Sequence, residues 1–186
     1  MNNETDKVAH VAGLMQEALE AGLLGAEWAS GKGCRWLAEA YNGIGPEFFG
    51  EDLRKKTSRW FAIFKPAALI HDARNHESDG TRLSFYNANI EFHFNCLLLA
   101  DRAYPWWYWK RYRARLVADA LYDFVSSPAG WKAWLEAHER YLERISQDPQ
   151  DSQDQQDAKA LDTPSARPVG LGRPVSPGNK QPENEQ

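Results

Sequence analysis

His71 and Asp72 stand side by side in Phe64-Lys65-Pro66-Ala67-Ala68-Leu69-Ile70-His71-Asp72-Ala73-Arg74-Asn75-His76, a proton-exchanging group beside a fixed negative charge in an otherwise apolar run. An imidazole changes charge near neutral pH, whereas a carboxylate is already ionised there. Neighbouring helical positions project about 100° apart, so the two side chains cannot share a partner on one flat face. They can flank a ligand held between their helix and something facing it. The same pair also fits a packed core histidine beside a solvated aspartate, and only a second motif separates the readings. Upstream, Tyr41-Asn42-Gly43-Ile44-Gly45-Pro46 supplies one. Its alternating glycines let the backbone turn sharply and aim carbonyls or N–H groups at something small.

The elements that must position these residues all read as helices. Pro66 suits a helix start, because its missing N–H would be unpaired there, and the His-Asp helix is expected from Ala67 to about His76. Val8, Val11, Ala12, Met15, Leu19 and Leu23 recur at three and four residues, which predicts an amphipathic helix from about Thr5 to Leu24. A short helix is expected from about Lys32 to Tyr41, and another over Glu51 to Phe64. Ser84 is expected to cap a long helix reaching about Ala103, with Phe85, Asn89, Phe92, Cys96 and Leu99 on one stripe. Ile90, Phe94, Leu97 and Leu98 widen its apolar surface, so it is expected to be buried, with Asn89 and His93 needing partners. Pro105 restarts the chain into a helix continuing to about Ser126, and a last helix runs from Pro128 to about Ile145. The expected fold is all-α, one domain over residues 1–146.

The order Tyr-x-Gly-x-Gly, then His-Asp on a helix, then a buried polar position on a second helix, resembles the phospholipase A2 family. The stretch Tyr86-Asn87-Ala88-Asn89-Ile90-Glu91-Phe92 is similar to the second helix of its viral capsid members. The resemblance implies one Ca²⁺ held by the carbonyls of Tyr41, Gly43 and Gly45 and the carboxylate of Asp72, a hard-oxygen set that suits this ion. It implies the Gly43 N–H in an oxyanion site, and His71 as the general base for water attacking a phospholipid ester. The carboxylate that orients the imidazole in the family is Asn89 here, and Asn75 stands where the family usually has Tyr. Asp101 and Glu91 are the nearby carboxylates that could substitute for Asn89. The segment between loop and His-Asp pair is longer than in the family by about one short helix. The chain also looks like small bacteriophage-encoded proteins with an Asn-Gly-Ile-Gly-Pro loop and an Ala-Ala-Leu-Ile-His-Asp core. The alternative is a catalytically weak or inactive binding protein that keeps the fold.

Composition sets the surrounding limits. The 23 aromatics all precede residue 147, while the stretch 147–186 has six of the ten prolines and a Gln/Asp-rich run. Such a segment buries too little apolar area to offset its ordering entropy and is expected to be a disordered acidic tail. Seven of the 26 acids and four of the 22 bases lie there, which leaves 19 against 18 in the rest. That near-neutral balance argues against a nucleic-acid partner. Cys34 and Cys96 allow at most one disulfide, and no scaffold of them is implied. No signal-type run follows the polar start and no segment has 18 consecutive apolar residues, so synthesis as a cytoplasmic chain is expected. Trp106 to Arg115 and Arg54 to Phe64 mix rings and bases as a lipid-facing surface does, although most of the eight tryptophans are expected in the core. His10 and His138 are expected at the surface, and no zinc-type spacing is present.

Overall fold

The computed structural model describes residues 3–42 and 61–147, which pack as one unit of seven α-helices with no strand among the described residues. These are α1 (Asn3–Glu20), α2 (Ala26–Ser30), α3 (Cys34–Ala40), α4 (Lys65–His76), α5 (Arg82–Ala103), α6 (Trp109–Val125) and α7 (Pro128–Gln147). A single 3-10 turn, Ala62–Phe64, leads into α4. The all-α expectation holds. The tail after residue 147 and most of the expected helix over Glu51 to Phe64 lie outside the described residues.

Helix α4 is the central rod. Pro66 occupies its first turn and every residue from Pro66 to Ile70 is buried, so its N-terminal half is wrapped by other elements. Val11, Leu14, Met15 and Ala18 of α1 and Leu37 of α3 close one side of the core around Leu69 and Ile70. Phe92, Cys96 and Ala100 of α5, with Ala114 and Ala118 of α6, close the other. Small residues on α6 let it lie close against α5, the most extensive helix pair of the fold. After the half-buried Lys65 at its start, α4 next carries half-buried polar side chains from His71 onward.

Three local features differ from the sequence expectations. Thr81, not Ser84, caps α5: its Oγ1 accepts from the Ser84 N–H at 3.2 Å, while Asp79 accepts from the Thr81 N–H and from the Ser84 hydroxyl. Helix α6 begins four residues after Pro105, because Pro105 to Tyr108 form a turn closed by the Tyr108 N–H on the Pro105 carbonyl at 3.0 Å. Helix α5 is not buried all round. Its Phe85, Asn89, Phe92 and Cys96 stripe is buried, but Leu83, Tyr86, Ile90 and Phe94 form a second stripe that is 45 to 70 % exposed. Among the described residues the packed elements sit on one side of α5, and they leave the apolar residues of its far side uncovered.

Helix α7 is docked onto the turn between α4 and α5. The buried Ser78 hydroxyl donates to the Trp134 carbonyl at 3.1 Å, and the His138 Nδ1–H donates to the Ser78 carbonyl at 2.7 Å. His138 is therefore a half-buried structural donor and not the surface residue its sequence setting suggests. No helix among the described residues is long and apolar enough to cross a membrane.

Candidate functional site

The His71 imidazole reaches across from α4 to α5. Its Nε2 lies 2.9 Å from Asn89 Oδ1, and its ring meets the Phe92 ring at 4.8 Å between centroids. The Asn89 Nδ2 faces the Val125 carbonyl of α6 at 3.4 Å. That carbonyl can only accept, so the amide nitrogen of Asn89 must point to it and the amide oxygen to His71. The proton of the neutral imidazole is then on Nε2, and Nδ1 keeps the lone pair. Burial holds the His71 pKa below its ordinary value, against the opposing pull of the Asn89 bond and of the Glu91 charge. The ring is neutral at pH 7, with a defined tautomer.

Asn89 is 1 % exposed, so its two bonds satisfy an amide that would otherwise be costly to bury. The two carboxylates that could substitute for it are engaged elsewhere. Glu91 pairs with Arg74 at 3.1 Å, and Asp101 accepts from Arg111 at 2.7 Å and Arg115 at 3.1 Å. Arg74 in turn lies over the Trp28 ring, 3.8 Å from its centroid, which holds the Glu91 side of the histidine rigid.

Asp72 turns the other way, as its 100° offset requires. Its Oδ2 accepts from the Asn42 backbone N–H at 3.0 Å, which ties the chain leaving α3 to α4. The buried Tyr41 phenol is raised to about 12 by desolvation first and then by the Asp72 charge. So the start of the glycine loop does sit against the carboxylate beside the histidine. The orientation of its first peptide is specific. In a trans peptide the N–H and C=O point in opposite directions, so with the Asn42 N–H on Asp72 the Tyr41 carbonyl faces away. A Tyr41 oxygen and an Asp72 oxygen can share one ion only after that peptide turns over.

Gly43 and Gly45 lie outside the described residues. Among the described residues no group of three His, Cys, Asp or Glu side chains could hold a metal. For Ca²⁺ the described donors therefore amount to one carboxylate beside the loop, and further oxygens would have to come from residues 43–45.

Asp72 opens onto a cavity of about 730 Å³ between α3, α4 and α7, lined also by Asn42, Asn75, His76, Arg140 and Arg144. His71 is not among its lining residues, so the adjacent pair serves two separate surroundings. Arg144 lies against the His76 ring and donates to the His76 carbonyl at 2.7 Å. Burial, then the charges of Arg144 and Arg140, lower His76 to about 4. Asn75 Oδ1 is buried with no hydrogen-bond partner among the described residues.

Sequence reasoning paired His71 with Asn89 correctly in space but missed the Val125 carbonyl, because a backbone acceptor leaves no mark in residue type. It also missed Arg140 and Arg144, which read as ordinary bases on the outer face of α7. His93, expected to need a partner, has one: Nε2 lies 2.7 Å from Asp119, and its ring stacks on Tyr122. No match to this chain was found among protein-family models, curated proteins or solved structures.

Proposed function

We propose that the chain is a calcium-dependent hydrolase of phospholipid esters in the manner of phospholipase A2. The observation that carries this reading is the clamped amide of Asn89, which fixes the proton of His71 on Nε2 and leaves Nδ1 as the base. A neutral imidazole with one committed nitrogen is what proton removal from an attacking water requires. Phe92 and the burial of the ring keep competing water off its far side. Asp72 holds the start of the glycine loop next to the same helix; on this reading the Tyr41–Asn42 peptide turns over when the ion binds, and the Gly43 N–H serves the oxyanion as the family resemblance implies. When bound, the ion would polarise the ester carbonyl.

A second reading has its own support: a binding protein of bacteriophage type that keeps the helix pair as scaffold. Its supporting observation is the Asn42 N–H on Asp72, which engages a ligand oxygen with a loop donor. Calorimetric titration with Ca²⁺, in parent and Asp72→Ala, separates the two. The hydrolase reading expects binding that the substitution abolishes and lipid hydrolysis that His71→Ala lowers by at least about a hundredfold. A parent that takes up no Ca²⁺ leaves the scaffold.

A further inference from the structure

Trp106, Trp107, Trp109 and Tyr112 are 77, 71, 53 and 67 % exposed at the corner between α5 and α6. Rings of this size usually bury most of their surface, and four of them facing water on one corner mark a contact surface. The corner is built to present them. Pro105 ends the preceding run, the Pro105–Tyr108 turn carries Trp106 and Trp107 outward, and the two indoles meet edge to face at 5.7 Å. Arg111 and Arg115 both bind Asp101, which fixes the corner and neutralises its one acid.

The sequence after Asp101 is basic. Between Asp101 and Asp119 the chain has five bases and no acid. Lys110 lies over the Tyr108 ring and Arg113 over the Trp109 ring, at 5.3 and 5.1 Å from the centroids, so cations flank the exposed faces. The corner offers Trp and Tyr, which place an apolar body and a polar tip at head-group depth, together with cations that pair with anionic lipid. Trp, Tyr and Arg are also frequent at protein interfaces, and what favours lipid here is that the acid-free basic stretch surrounds the rings, which suits a uniformly anionic head-group layer.

We propose that this corner is a docking surface for anionic bilayers, with Trp106 and Trp107 entering the head-group layer and Lys110 and Arg113 facing lipid phosphates and carboxylates. It does not depend on hydrolysis: an inactive chain would dock equally well. The full chain is pelleted with vesicles of phosphatidylcholine alone and of phosphatidylcholine with one-third phosphatidylserine. Binding is expected to the second far more than the first, and to weaken as salt is raised. The double variant Trp106→Ala/Trp107→Ala is expected to bind about tenfold more weakly with unchanged thermal melting, since neither ring is packed in the core. Lys110→Gln/Arg113→Gln should lose the preference for phosphatidylserine by a similar factor. The proposal is overturned if the parent chain does not pellet with either vesicle, or if its binding ignores both salt and the tryptophan variant. It is equally overturned if sedimentation shows a dimer that the tryptophan variant dissolves while vesicles are left unbound; the corner is then a protein interface.

Discussion

Asn89 decides how much chemistry His71 can do. As a neutral acceptor it sets the tautomer, yet it adds no negative charge to offset an imidazolium formed in the transition state. The reverse change, Asp to Asn beside the catalytic histidine of a serine-protease triad, lowers kcat by about four orders of magnitude. On the hydrolase reading, Asn89→Asp is therefore expected to raise ester hydrolysis by at least about tenfold. It should also shift the acid limb of the pH–rate profile. On the hydrolase reading, the lowered His71 pKa of the parent puts the acid limb of its profile on the acid side of that of an ordinary imidazole. A facing carboxylate stabilises the protonated ring, raises that pKa and moves the acid limb to higher pH. Profiles for the two proteins that superimpose would mean that His71 is not the group titrating. The chain order of His71 and Asn89 was readable because both are polar residues on apolar stripes. The direction in which Asp72 looks was not, since it depends on where the chain leaves α3.

At the scale of elements, the joint between α4, α5 and α7 rests on Gly80. Its φ is +71°, and a Cβ there would stand 2.6 Å from the His138 ring that binds Ser78. Gly80→Ala thus meets both backbone strain and a collision with the α7 anchor. Gly22 has a similar φ of +63° but nothing within 4 Å of a Cβ, so Gly22→Ala isolates the strain alone, about 1 kcal/mol. Gly80→Ala is expected to cost roughly twice as much in chemical denaturation. Equal costs would show that His138 swings aside freely. The helices themselves were legible from periodicity, with ends shifted where local bonding overrode pattern: Thr81 took the cap from Ser84 because Asp79 holds both hydroxyls. The five residues of α2 were missed, because one turn and a half carries too little period to read. The exposed stripe of α5 was misjudged, because hydrophobicity around a helix does not say how many neighbours it has.

Over the whole molecule, the main core joins helices far apart in sequence, a smaller cluster of Phe85, Ala88 and Trp134 stands apart from it, and Cys96 lies in the main one with no exposure and no disulfide. Burial drives its thiol pKa far above the ordinary range, so the reactive thiolate is absent from the folded state. Labelling with a thiol reagent under native conditions is expected to modify the half-buried Cys34 promptly. Cys96 should react only at the rate of global unfolding, and accelerate with denaturant accordingly. Prompt reaction of both would show that the α5–α6 side opens separately from the rest. The all-helical architecture could be anticipated because apolar residues recur at helical spacing along most of the chain before residue 147.

Helix α6 has one further property, which follows from what stands at its two ends. Trp109 opens it on the ring-bearing corner, and Val125 closes it with the carbonyl that holds the Asn89 amide. Seventeen residues make a stiff lever about 25 Å long. One rigid rod thus bears water-facing rings where it starts and, where it stops, the acceptor that decides which nitrogen of the histidine carries the proton.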